Sequence, residues 1–170
     1  MTLVRTDHHP EIGNGHNTRC GRDPESSMLN PLNDATSPNV QLVKDVYAAF
    51  SGGNIDAVVD AMDPEIEWHE AEHSPWHVPG GHHGPTAVVT NVFARVPERL
   101  DHFEVEPRRF HDAGATVIVD ARHRGDTPST SGSLDAQACH VWTIRDGKLA
   151  AFQQYTDTWL FAQVTADQPA

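Results

Sequence analysis

Between Glu65 and Pro85 the chain reads EIEWHEAEHSPWHVPGGHHGP. Its first seven residues alternate, as a strand with one buried face does. Ile66, Trp68 and Glu70 fall on one side, and Glu65, Glu67 and His69 on the other. The apolar pair Ile66 and Trp68 marks the first side as the buried one. Glu70 shares that side, so the pattern predicts a carboxylate pointing into the core. From Ser74 onward, Pro75, Pro79, Gly80, Gly81 and Gly84 break regular structure and predict a loop. The residues before this run read as tail and helix, and those after it read as sheet.

Residues 1–39 carry few large apolar side chains and many Asn, Asp, Pro, Ser, Gly and His. Such a segment buries too little apolar surface to offset its ordering entropy, which predicts a disordered polar tail. His8, His9 and His16 belong to it. About 130 residues remain, enough for one core. The next segment, VQLVKDVYAAF, places Val40, Val43, Val46, Tyr47 and Phe50 at helical spacing, with Asn39 as the expected N-cap and Gly52-Gly53 as the stop. Asn54 opens a short second helix that ends at Asp63-Pro64.

Beyond the loop, Thr86–Val96 predicts a third helix. Four strands come next, over 101–110, 115–124, 134–144 and 148–158. Val117, Val119, Ala121 and His123 share one face of the second of these. His140, Trp142 and Ile144 share a face of the third. Arg145-Asp146-Gly147 is a strong hairpin signal. WLFAQV predicts a terminal turn of helix, and residues 165–170 a short tail. The element order predicts an α+β fold, with helices packed on one face of a curved antiparallel sheet.

A net charge of −12 argues against nucleic acid and against an anionic membrane surface. No run of eighteen apolar residues predicts a spanning helix, and the first residues lack the apolar stretch of a signal peptide. Two cysteines, Cys20 and Cys139, make no disulfide framework. A cytoplasmic setting is the expectation.

Three stretches together resemble the nuclear transport factor 2-like superfamily, and within it the SnoaL-like and ketosteroid-isomerase-related proteins. They are YAAFSGGNIDAVVDAMDPEIEWHE, GGHHGPTAVVTNVF and HVWTIRDGKLAAFQQYTDTW. The resemblance covers residues 40–164. It implies a cone, with a bent antiparallel sheet wrapped around three N-terminal helices and a deep apolar pocket. It also implies a catalytic carboxylate at Glu70, an oxyanion-stabilising group at His140 and an acid or base at Asp157. The family's base is Asp and its oxyanion donor a protonated acid, so Glu70 and His140 both depart from the isomerase pattern. Tyr47, Trp68, Trp76, His83, His123, Trp142 and Tyr155 are the expected substrate-binding residues.

His69-Glu70-Ala71-Glu72-His73 matches H-E-x-x-H, which in zincins puts two histidines one helical turn apart. Here the run starts in a strand, where residues four apart are separated by ~13 Å. No metal is therefore expected, although a turn after Ala71 would leave a site with His77, His82 or His83 open. The expected function is a cofactor-independent enzyme of isomerase, cyclase or hydratase type, acting on an apolar or polycyclic carbonyl compound. The expected assembly is a homodimer. A non-catalytic binding protein of the same fold and a metal-dependent hydrolase are the alternatives.

Overall fold

A computed structural model describes residues 36–127 and 132–165. The predicted polar segment up to residue 35, with His8, His9, His16 and Cys20, lies outside the described residues, as do the tip of the 125–133 loop and residues 166–170.

Helix α1 (Pro38–Ser51) starts two residues before Val40. Ser37, not Asn39, is its N-cap, accepting a hydrogen bond from the Val40 N–H, and Pro38 occupies the first turn. Proline there loses no helical hydrogen bond, because that N–H has no partner inside the helix anyway. Asn39 lies within the helix and donates instead to the Gly114 carbonyl at 2.8 Å. Helix α2 (Ile55–Ala61) is capped by Asn54 as expected.

Strand β1 (Met62–His69) continues from it without a gap. Ile66, Trp68 and Glu70 are buried while Glu65 and Glu67 are exposed, as the alternation requires. After the loop come a two-residue strand β2 (His82–His83) and helix α3 (Pro85–Asn91). The expected third helix is shorter than the pattern suggested: Phe93–Glu98 is a 3₁₀ helix. Pro97 lies inside it, and its ring would clash with the Phe93 carbonyl in a continuing α-helix.

The remaining strands are β3 (Asp101–Ala113), β4 (Thr116–Asp126), β5 (Ser133–Arg145) and β6 (Lys148–Thr156). Asp146 and Gly147 both have positive φ (52° and 72°), the hairpin turn that Asp-Gly favours. Helix α4 (Thr158–Thr165) ends the described chain.

All six strands form one curved, unclosed sheet in the order β2-β1-β6-β5-β4-β3. Its neighbours are antiparallel except for β1 and β6, which run parallel, with Trp68 beside Phe152. The first strand thus lies next to the last. Helices α1, α2 and α3 bury Val43, Tyr47, Val58 and Val88 against the sheet residues Ile66, Trp68, Val117, Trp142 and Phe152. A second cluster joins Trp76, Leu100, Leu134 and Phe161. Among the described residues no helix is long and apolar enough to cross a membrane.

Candidate active site

A cavity of about 70 Å³ lies between α1, the 3₁₀ helix and the sheet. Seven of the expected site residues line it: Tyr47, Trp68, Glu70, Trp76, His123, His140 and Trp142. Val46, Phe50, Phe93 and Phe152 supply much of the apolar wall. Aromatic rings pack edge to face around it, with Trp68 5.4 Å from Phe93 and 5.6 Å from Trp142 between centroids.

Glu70 sits one residue past the end of β1 and is almost fully buried. Its Oε1 accepts a hydrogen bond from the Trp68 indole at 2.7 Å. Its Oε2 is buried with no hydrogen-bond partner among the described residues. Loss of water raises the carboxyl to about 7. The Trp68 indole, the Gln154 side chain and the charge of His77 pull it down by less. The backbone at Glu70 is held as well, since its carbonyl accepts from His77 Nδ1 at 3.3 Å.

On β5, His140 has polar neighbours at both ring nitrogens. Its Nδ1 is 2.7 Å from the Tyr47 hydroxyl, and its Nε2 is 3.0 Å from His123 Nε2. Trp142 donates its indole N–H to the Tyr47 oxygen at 3.1 Å. His123 Nδ1 is 3.4 Å from Thr156 Oγ1. Burial lowers His140 well below the ordinary histidine range, helped by the neighbouring His123. Burial also lowers His123, to about 4, and raises the Tyr47 phenol. At neutral pH both imidazoles and the phenol are therefore uncharged.

Three expected residues lie elsewhere. Asp157 is not on the last strand. It caps α4, its Oδ1 accepting from the Leu160 N–H at 3.1 Å, and it borders a depression on the outer side of the sheet. Tyr155 borders the same depression and is 58% exposed. Its inward-facing neighbours along β6 are Phe152 and Gln154. His83 is exposed and donates from Nε2 to the Gly80 carbonyl at 3.0 Å, whereas His82 is the buried member of that pair, bonded to the Trp76 carbonyl.

Gln154 and Thr156 are the residues the sequence pattern missed. The parity set by Phe152 points to Gln154 as the buried neighbour. No comparable signal marked Phe161, whose ring packs on Trp76 and His123.

The H-E-x-x-H histidines are not brought together by a helix: His69 ends β1, and His73 is an exposed turn residue with φ 67°. No group of three or more His, Cys, Asp or Glu among the described residues is arranged to hold a metal ion.

The cavity thus brings a buried carboxyl and a Tyr–His–His row together inside one α+β fold. The model of the SnoaL-like domain matches residues 43–152, and the chain belongs to that family. Among solved structures, it is similar to a nuclear transport factor 2-like protein from Burkholderia thailandensis E264. The two share 35% identity at a TM-score of 0.70, over 76% of this chain and 98% of that one. TerC co-crystallised with polyporic acid is 27% identical at a TM-score of 0.68, over 77% and 100%. An LEH-like epoxide hydrolase from M. tuberculosis shares the fold at 18% identity and a TM-score of 0.60, over 78% and 92%. No curated protein matches the chain.

Proposed function

We propose that this protein is a cofactor-independent acid–base enzyme that acts on a small, largely apolar carbonyl or polyketide-like compound, with Glu70 as the proton acceptor. One observation carries the proposal: a carboxyl walled in by aromatic rings, with one oxygen held by Trp68 and the other unpartnered. A carboxyl raised to about 7 can take and return protons near neutral pH. The free Oε2 lone pairs are where an acidic C–H or a water would be engaged.

Tyr47, backed by Trp142 and His140, is the polar group that handles the substrate oxygen. Its oxygen keeps one lone pair for a substrate hydroxyl, whereas both nitrogens of His140 already have partners. Asp157 has no part in this scheme, because its carboxylate is committed to capping α4 on the other side of the sheet. Isomerisation, aldol-type cyclisation and addition or removal of water can each use a proton-accepting carboxyl together with a polar group at the substrate oxygen. The co-crystallisation of TerC with polyporic acid supports a small organic ligand for a cone of this kind.

The test pairs a titration with a screen. Carbon-13 NMR of the labelled Glu70 carboxyl is expected to give a midpoint near 7. Enolisable ketones and polyketide-like compounds are then screened for turnover by the wild type and by Glu70→Gln, with loss of about 10²–10⁴ in rate expected for the variant. An ordinary carboxylate midpoint would overturn the proposal. Ligand binding with no turnover by either protein would favour a binding module instead, and equal turnover by both would remove Glu70 from the chemistry.

A further inference from the structure

The hydrogen bonds around His140 have a direction, and it can be worked out atom by atom. Thr156 Oγ1 lies 2.9 Å from the Gln137 carbonyl, which can only accept, so the threonine hydroxyl donates there. With its one proton used, Thr156 Oγ1 must accept from His123 Nδ1. A neutral His123 then presents a bare Nε2. Across the 3.0 Å contact, His140 Nε2 must carry the proton. A neutral His140 is then bare at Nδ1 and accepts from the Tyr47 hydroxyl at 2.7 Å. The Tyr47 oxygen in turn accepts from the Trp142 indole. Every donor has one acceptor, and only one set of tautomers satisfies the whole row.

The row also has two ends in different places. Tyr47 lines the cavity. Thr156 and Gln137 border the depression on the outer side of the sheet.

We propose that Tyr47, His140, His123 and Thr156 form a single-file proton relay from the cavity to the outer face of the sheet, set to remove a proton from an enolic or phenolic hydroxyl seated against the Tyr47 oxygen. The balance is simple. The ligand hydroxyl gives its proton to the Tyr47 oxygen, and the Tyr47 proton moves to His140 Nδ1. The His140 Nε2 proton moves to His123 Nε2, and the His123 Nδ1 proton moves to Thr156 Oγ1. The Thr156 hydroxyl turns away from the Gln137 carbonyl and gives its own proton to outer water. The ligand becomes an oxyanion, one water becomes hydronium, and every relay residue stays neutral. The row then points the opposite way, with the Tyr47 O–H aimed at the cavity, ready to return a proton to that oxygen. The relay rests on the cavity being a proton-transfer site, but its polarity can be measured without any turnover.

The experiment is long-range nitrogen–proton NMR of the histidine rings in the full chain at neutral pH. The wild type is expected to show His123 protonated at Nδ1 and His140 at Nε2. Thr156→Val removes the acceptor that sets the direction. It is expected to switch both rings to the opposite tautomer and to slow solvent exchange of the His140 ring N–H by about tenfold. Thr156→Ser keeps the hydroxyl and is expected to retain the wild-type tautomers. The same tautomer on both rings in the wild type, or a Thr156→Val spectrum with His140 unchanged, would overturn the relay. The Glu70 titration on the same samples separates the two ideas. A midpoint near 7 with an unresponsive His140 removes the relay alone, and switching tautomers with an ordinary Glu70 midpoint removes the catalytic carboxyl alone.

Discussion

A carboxyl satisfied by a single indole N–H, with aromatic rings in place of water, keeps its proton far above the usual carboxylate range, to about pH 7. In the unfolded chain Glu70 titrates near 4.5. Between these values the folded state binds a proton that the unfolded state has lost, so this group's contribution to stability falls as pH rises. The shift corresponds to about 3 kcal/mol across the window. His123 acts oppositely. Folded, it stays neutral down to about 4, while unfolded it charges below 6.5, so its contribution rises with pH between those limits. His140 has the same sign as His123. In the wild type the two effects oppose each other from pH 4.5 to 6.5. Glu70→Gln removes one of them, and urea denaturation of the variant is expected to show stability climbing more steeply with pH over that range.

Gly81 offers a second check at this scale. Its φ is +77°, and a Cβ there would lie 2.7 Å from the His69 ring and 2.8 Å from the Trp68 carbonyl. Gly81→Ala is expected to cost about 2 kcal/mol or more, read as a lower thermal midpoint. The inward orientation of Glu70 was legible from alternation alone. Its bond to Trp68 was not, because alternation places the two on one face ~7 Å apart but does not say which way either side chain leans.

At the scale of elements, the junction of β6 and α4 shows where sequence patterns lose force. Alternation along Lys148–Thr156 puts Phe152 and Gln154 inward. A bulge opposite Thr143–Ile144 shifts the parity only before Phe152, and alternation by itself does not mark where the strand stops. Asp157 therefore read as a strand residue, although Asp before a run of helix formers is also an N-cap signal. Asp157→Ala is expected to destabilise the fold by about 1 kcal/mol while leaving the Glu70 titration unchanged, and Asp157→Asn to retain most of the stability. Chemical denaturation with the NMR titration alongside checks both. A shifted Glu70 midpoint in Asp157→Ala would bring this aspartate back to the cavity. Phe152 is the element-scale keystone, with ring centroids 3.9 Å from Trp68, 4.4 Å from Trp142 and 5.0 Å from His140. Phe152→Ala is expected to cost about 3–5 kcal/mol.

For the whole molecule, the class and the helical side of the sheet were legible because burial periods differ cleanly, 3.6 for α1 and 2 for β4 and β5. The strand order was not. Hairpin signals link neighbours in sequence, and β1 meets β6 only through a parallel pairing of distant segments. The outer face of the sheet pairs half-buried Ile118 with Val141, and exposed Tyr155 and Trp159 lie near its end. Burial of the Ile118–Val141 part of that face in a homodimer, with the depression beside Thr156 left open to water, is the proposal for assembly. Sedimentation equilibrium is expected to give twice the 18.7 kDa chain mass, and a monomer at micromolar concentration would refute it.

The parallel pairing of β1 with β6 also sets an order of events at the ribosome. Residues 62–69 find their central neighbour only when 149–153 have been made and have left the exit tunnel. Until then β1 has only the two residues of β2 to pair with. Glu70 therefore spends most of synthesis as an ordinary solvated glutamate. Its unusual hold on a proton arrives late, as a property of the nearly finished chain, and a nascent protein stalled before β6 would carry the residue without the chemistry.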